Sequence, residues 1–419
     1  MKFRRALTVL LLAVALAALP ATCGAEGTIV VRSARPTGPF CARVSWEPLY
    51  ISDFARLEIH AGSTPDFAPD DSTLMWTTTA ASDTASVVGG LAPATRYFLR
   101  LRAVGLGGLA TVSGGVPVTT RPAPAQAYRV QFEWGGRGSI PGRFQGASAV
   151  VVDPSRNFWV SDFRGNRIQK FGPTGYGFVL WGATGTQTGQ FQGPSGLALD
   201  GRGGIWVADS RNARIQKFTL SGQFLKSVGS AGAGEGQFRL PQGIAVDNQG
   251  YVYVADPGNR TVQKFSSDGG FMLRFPRPSA GDPGLYAPNG LAVDPAGFVF
   301  VTDARNHCIH VFTTEGKFLS VIGRPGCGPG ELWSPSGVSI DITGAVYVVD
   351  SGNQRVQKFT RRGEFVGQWG FRGRDPGQFL HPQGISVSET GDVYVADFDN
   401  DRVQQFVPMP ASPETAPSR

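Results

Sequence analysis

Val252-Tyr253-Val254-Ala255-Asp256 returns unchanged as Val393-Tyr394-Val395-Ala396-Asp397. Looser copies are Phe158-Trp159-Val160-Ser161-Asp162, Ile205-Trp206-Val207-Ala208-Asp209, Val299-Phe300-Val301-Thr302-Asp303 and Val346-Tyr347-Val348-Val349-Asp350. The six closing aspartates, Asp162, Asp209, Asp256, Asp303, Asp350 and Asp397, stand 47 residues apart. β-Branched and aromatic residues without polar alternation describe a strand covered on both faces. A fixed period of this length describes a repeat array in which each unit is one supersecondary element.

Working outward from that strand, each unit holds three further strand signals. A first strand has the form Pro241-Gln242-Gly243-Ile244-Ala245-Val246-Asp247. A turn follows, with glycine at Gly203, Gly250, Gly297, Gly344 and Gly391, where positive φ carries no steric cost. The aspartate-ended strand is second. The third reads Arg167-Ile168-Gln169-Lys170-Phe171, repeated at 214–218 and 355–359, and the fourth ends at Gly182, Gly229, Gly323 or Gly370, with Pro276 in the third unit. A repeated four-stranded unit of this size is a propeller blade. The pattern resembles the NHL repeat family over residues 128–407. The fold expected is all-β: a six-bladed β-propeller of four-stranded blades. Tyr128 to Gly135 form an orphan fourth strand, since Gly135 lies 47 residues before Gly182. The last unit, Pro382 to Phe406, lacks its fourth strand, so the N-terminal strand should close the last blade and hide two sheet edges.

The recurrent aspartates suggest metal, but six copies argue for a structural role: accepting backbone N–H groups of the following turn. Chemistry would sit at the mouth of the central channel, ringed by Ser148, Ser195, Gln242, Asn289, Ser336 and Gln383. All six are polar and none is charged, so the ring offers neither the carboxylates that calcium needs nor the histidines that zinc needs. Six-bladed lactonase-like hydrolases use acidic calcium ligands there, and this chain departs from that plan. Peptidylglycine amidating lyases, which resemble NHL propellers, need histidine-bound zinc. Here the repeats hold only His307, His310 and His381, with His381 in a different unit. No nucleophile elbow or phosphate loop is present. We expect no catalytic residue, metal or cofactor, and keep a metal-dependent lyase or hydrolase as the alternative.

Binding is the stronger expectation. Loops after the aspartates contribute Phe163, Arg164, Arg211, Arg305 and Phe398, and loops before the first strands contribute Arg239, Tyr286, Trp333, Arg372 and Arg374. Arginine interleaved with aromatics suits a protein or glycan partner. Some NHL propellers bind single-stranded RNA on such a face, and stacking on bases uses the same residues. Export, argued next, disfavours nucleic acid.

Lys2, Arg4 and Arg5 precede a 13-residue run, Leu7 to Leu19, dominated by Leu, Ala and Val. It is shorter than the roughly 20 residues that span a bilayer, so residues 1–25 read as a signal peptide. The expected location is secreted, periplasmic or cell-surface, with membrane contact only through lipidation of Cys23, and the chain is expected to be monomeric. Of the net charge of +7, the leader supplies three; residues 26–123 balance at eight basic and eight acidic groups. The remaining surplus is too mild to demand a nucleic acid. Residues 27–122 read as a sandwich: Val44-Ser45-Trp46 supplies a core tryptophan, and Leu57-Glu58-Ile59-His60 alternates. Leu91-Ala92-Pro93-Ala94-Thr95-Arg96-Tyr97 resembles the E–F corner of a fibronectin type III domain, where the tyrosine hydroxyl bonds back to the backbone. His60 reads as an ordinary surface histidine. Residues 123–127 form a stiff linker, and 408–419 a disordered tail. Cys41, Cys308 and Cys327 survive cleavage, an odd number; Cys308 and Cys327 share a repeat, but Cys327 falls past the strand end opposite Cys308, which disfavours a bridge.

Overall fold

The computed structural model describes residues 29–37, 41–49, 54–71, 73–120, 128–175, 179–276 and 284–409. The signal peptide, Cys23, the linker and residues 410–419 lie outside them. The described chain is all-β with three short 3-10 turns.

The N-terminal module has eight strands: β1 (Val31–Pro36), β2 (Ala42–Trp46), β3 (Phe54–Gly62), β4 (Leu74–Thr78), β5 (Ala85–Val88), β6 (Arg96–Gly105), β7 (Ala110–Val112) and β8 (Val116–Thr119). One sheet runs β1-β2-β5; the other runs β4-β3-β6-β7, with β8 also on β6. Val44, Trp46, Leu57, Ile59, Leu99 and Leu101 fill the space between them. The Tyr97 hydroxyl accepts the Ala92 N–H at 2.9 Å, the backbone bond expected of that corner. His60 is not at the surface. It is buried because β3 is flanked by β4 and β6, and its ring nitrogens meet Thr73 Oγ1 at 3.1 Å and Glu58 Oε2 at 3.2 Å. Burial pushes the Glu58 carboxyl up, but hydrogen bonds from Arg56, Arg102 and His60 outweigh it and hold the group at about 2.

Six four-stranded antiparallel sheets follow. The second, Pro194–Leu199, Gly204–Asp209, Arg214–Thr219 and Phe224–Val228, shows the common order. The sixth takes Pro382–Val387, Val393–Asp397 and Arg402–Pro408 from the end of the chain and completes itself with β9 (Tyr128–Gly135), pairing Arg402 with Gly135 and Pro408 with Tyr128. Pro408 therefore belongs to a strand rather than to a tail. β9 is also held by its neighbour sheet: the Tyr128 ring stacks on Trp369 at 4.3 Å, and its hydroxyl bonds to that of Tyr347 at 2.9 Å.

First strands pack against one another around the array, and that of the first sheet meets that of the sixth. The approach is close enough to require the glycine of the Pro-x-Gly signal: a Cβ on Gly243 would sit 2.1 Å from the Asn289 carbonyl oxygen. The turn glycines take positive φ as expected, with Gly250 at 91°; in the first unit Arg156 adopts 63° at the same place.

The two parts are joined covalently. Cys41 and Cys327 form a disulfide across 286 residues, and Cys308 is a buried free thiol pushed up by burial to about 12. Ile309 pairs with Ile322 and His310 with Val321, so the strand opposite Cys308 ends well before Cys327, which is bonded to Cys41 instead. Beside the disulfide, the Arg372 N–H donates to the Gly90 carbonyl at 3.0 Å, and Gly89 lies against the Asn353 side chain.

Candidate binding face

The strand-end aspartates organise one end of every sheet. Asp350 Oδ1 accepts the Trp333 N–H at 2.7 Å. Its Oδ2 accepts from Asn353 Nδ2 at 2.8 Å, Arg355 Nε at 2.7 Å and Gln357 Nε2 at 3.0 Å. The expected turn contacts also occur, as where Asp303 Oδ1 takes the Arg305 and Asn306 N–H groups at 3.1 and 3.0 Å. What the sequence reading missed is the reach backwards: each carboxylate also accepts an N–H from the loop that connects it to the previous sheet, at Gln145, Gln192, Arg239, Tyr286, Trp333 and Leu380. It missed the arginine too. Arg167, Arg214, Arg355 and Arg402 pair with their aspartates, and the Arg355 fork goes on to bond the Cys327, Gly328 and Glu331 carbonyls. The aspartates are thus structural hubs that fix two loops on one face.

A second device ties neighbouring sheets. Four residues after each aspartate the chain takes positive φ, at Asn166, Ala213, Arg260, His307, Gln354 and Asp401. Four of these side chains accept an N–H of the next connecting loop: Asn166 from Gly193 at 2.8 Å, His307 Nδ1 from Ser334 at 2.9 Å, Gln354 from His381 at 2.7 Å and Asp401 from Gly146 at 2.7 Å. His307 serves as an acceptor, so its ring is neutral; burial holds it below the ordinary histidine range, against the pull of Asp350 and Asp303. Between that depressed value and the unfolded value near 6.5, only the unfolded chain binds the proton. Stability from this group is complete above the window and is lost as pH falls through it. Lowering the pH through that window should cost at most the His307–Ser334 contact, about 1 kcal/mol. His307→Gln, which copies Gln354, should remove that share of the pH dependence in urea midpoints; equal dependence in both proteins would place it elsewhere.

First strands begin at this same end, since Pro194, Pro288 and Pro382 pair with Asp209, Asp303 and Asp397. Ser148, Ser195, Gln242, Asn289, Ser336 and Gln383 therefore converge, and together they line a cavity of about 570 Å³. The serines are committed to the protein: Ser148 Oγ donates to Gln383 Oε1 at 3.1 Å, Ser195 Oγ to the Gln242 carbonyl at 3.1 Å and Ser336 Oγ to the Gln383 carbonyl at 3.0 Å. The Gln242 and Asn289 side-chain amides have no protein hydrogen bond among the described residues.

The ten loop residues separate into three groups. Phe163 and Phe398 sit at the cavity rim, 6.0 Å apart, with the Arg164 guanidinium 4.6 Å over Phe398 and that of Arg211 5.0 Å over Phe163. Arg164 also pairs with Asp399 at 3.3 Å. Arg211, Arg239, Tyr286, Arg305 and Arg374 are exposed. Trp333 and Arg372 are turned towards the N-terminal module: Trp333 lines a 220 Å³ cleft with Met75, Trp76 and Cys327, and its ring stacks on His307 at 4.2 Å. Both were expected on an open binding face: Trp333 is still 40% exposed there, while Arg372 is half-buried beside the docked module. The reading also overlooked Arg260, exposed and 5.3 Å over the Tyr286 ring. Its signal was the offset of four from Asp256.

The histidines do not assemble a metal site. His307 is used by Ser334, His381 Nδ1 meets Asp399, and His310 is buried where the other sheets carry Gln169, Gln216, Gln263, Gln357 and Gln404. Among the described residues no three His, Cys, Asp or Glu side chains gather around a common point.

The NHL repeat profile matches residues 191–218, 238–265 and 379–406, each running from a buried phenylalanine of a connecting loop to the end of a third strand. The chain carries NHL repeats. Residues 293–359 match DUF5128, described as a 6-bladed beta-propeller. No curated protein matches. Among solved structures, a protein of unknown function from Bacteroides thetaiotaomicron aligns at TM-score 0.52 and 13% identity, covering 91% of this chain and 98% of that one. A streptogramin B lyase aligns at 0.47 and 15%, covering 75% and 90%. A gluconolactonase from Xanthomonas campestris aligns at 0.47 and 15%, covering 69% and 99%. At these identities the likeness concerns the fold alone.

Proposed function

We propose that this is an exported, non-catalytic binding protein: a closed six-bladed β-propeller whose loop face takes a protein or glycan partner, clamped to a fibronectin III-like sandwich. The observation that carries the reading is the pair of uncommitted amides, Gln242 and Asn289, beneath a rim of exposed arginines and aromatic rings. Such a site recognises by hydrogen bonding, charge and stacking. The aspartates that could have held metal are consumed by the loops. The sandwich covers one sector of the loop face through Cys41, Gly89 and Gly90, so it limits the partner's approach instead of holding the propeller at a distance. Residues 1–25 act as a signal peptide, with or without lipid at Cys23.

Affinity capture from an envelope fraction tests this. The Arg211→Ala, Tyr286→Ala double variant should retain less than about a tenth of the captured partner. Unchanged capture would sink the loop-face reading. The competing metal-dependent lyase or hydrolase predicts stoichiometric zinc or calcium in the purified protein, lost on replacing His307 or His310.

A further inference from the structure

We infer that the partner is an acidic polysaccharide, bound by its carboxylates across the second to fourth sheets; this rests on the loop-face reading above and narrows it to one class of ligand. Arg211, Arg239, Arg260 and Arg305 are all exposed at the aspartate end of these three sheets. Arg211 follows Asp209, the Arg239 N–H bonds Asp256, Arg260 lies four residues beyond Asp256, and the Arg305 N–H bonds Asp303. Among the described residues none of the four is engaged in an ion pair, whereas Arg164, on the first sheet, is paired with Asp399 of the sixth. The docked module sits beside the fifth sheet. Arg374, between the fifth and sixth sheets, is also exposed and makes no ion pair among the described residues, but only here do four such arginines gather on adjacent sheets.

The two open amides lie at two of these sheets. Gln242 stands two residues before the first strand of the third sheet, Ile244–Val246, and Asn289 is the second residue of that of the fourth, Pro288–Val293. A side-chain amide offers both donors and an acceptor, the complement of a sugar hydroxyl pair. A guanidinium fork matches a carboxylate. Hydroxyl-reading groups in the mouth and carboxylate-reading groups on the loops at the same end of these sheets fit a chain of uronic acid units.

A single-stranded nucleic acid fits less well. It needs ring faces open for successive stacking, and here one face each of Phe163, Phe398 and Tyr286 is taken by the guanidinium of Arg211, Arg164 and Arg260.

The test is binding of the full chain to polygalacturonate, with its fully methyl-esterified form as the same backbone without charge. Polygalacturonate should bind, and binding should fall at least about tenfold when salt rises from about 0.05 to about 0.5 M. The variant with all four arginines changed to glutamine should lose at least about tenfold, and Gln242→Ala, Asn289→Ala several-fold, both with unchanged thermal midpoints. The single substitution Arg305→Gln keeps the test open if the fourfold variant fails to fold, and should lose about two- to threefold. Equal binding of the esterified polymer would overturn the acidic class, while sensitivity to the amide variant would leave the loop-face reading standing. Equal or tighter binding of poly(U) or polyglutamate with the same arginine dependence would overturn it in favour of another polyanion. No binding to either galacturonan also overturns it, and envelope capture then decides the broader reading separately.

Discussion

Replacing Asp350 with alanine should lower the unfolding free energy by about 3–5 kcal/mol in urea denaturation. Arg355 has no exposed surface, so its charge cannot turn to water when the carboxylate goes. Its Nη atoms would still face the Cys327, Gly328 and Glu331 carbonyls, which are dipoles and not a counter-charge. The Trp333 N–H, Asn353 Nδ2 and Gln357 Nε2 would lose their shared acceptor at the same moment. The third sheet supplies the control. There Thr261 stands five residues after Asp256, so Asp256→Ala strands donors but no guanidinium. Its cost should be nearer 1–3 kcal/mol. If the two variants lose the same stability, the buried ion pair is not what distinguishes the sheets. The reverse truncation, Arg355→Met, should be milder than Asp350→Ala, because burial already pushes the Asp350 carboxyl up and a lone carboxyl can take a proton.

The repeat was legible because its determinants are local. Strand composition, the turn glycines and the 47-residue phase all sit within one unit, and the pairing of β9 with Arg402–Pro408 followed by extending that phase to Gly135. The convergence of Ser148, Ser195, Gln242, Asn289, Ser336 and Gln383 was legible for the same reason, since equal offsets in equivalent units occupy equivalent positions. What could not be read were contacts between units. The Asp–Arg pair was visible as a recurring offset of five, but only its burial makes it a hub. The His307–Ser334 and Asp401–Gly146 contacts join a loop of one sheet to the next, or the end of the array to its start, and nothing in the period marks them. His60 was misjudged because its partners come from β3 itself and from beyond a turn, at Glu58 and Thr73, while alternation describes only the faces of one strand. Arg372 was assigned to an open face because a sequence does not show which loops another domain covers.

Cys41→Ser should release the N-terminal module without unfolding either part. Each part has its own core: Trp46, Leu57 and Leu101 belong to the module, and the sheets of the propeller pack among themselves. Beside the disulfide, the junction rests on Gly89 and Gly90 against Asn353, Gln354 and Arg372, a patch with little apolar side chain to remove from water. The bond closes a loop of 286 residues of sequence separation, for which chain entropy sets an upper limit of about 6 kcal/mol. The tether through residues 121–127 and the rigidity of two folded parts already restrict that freedom, so the realised share is smaller. Even about 2.7 kcal/mol is a factor of roughly one hundred in the docked population. Three readouts should move together. The Arg372 amide, which donates to Gly90, should exchange about a hundredfold faster. Trp333, which lines a cleft with Met75 and Trp76 and is already 40% exposed in the docked form, should emit at slightly longer wavelength. The radius of gyration should rise, while thermal unfolding of the propeller stays within about 2–4 °C of the parent. Unchanged protection at Arg372 would mean that the glycine junction holds the two parts by itself, and that the disulfide guards an interface it did not create.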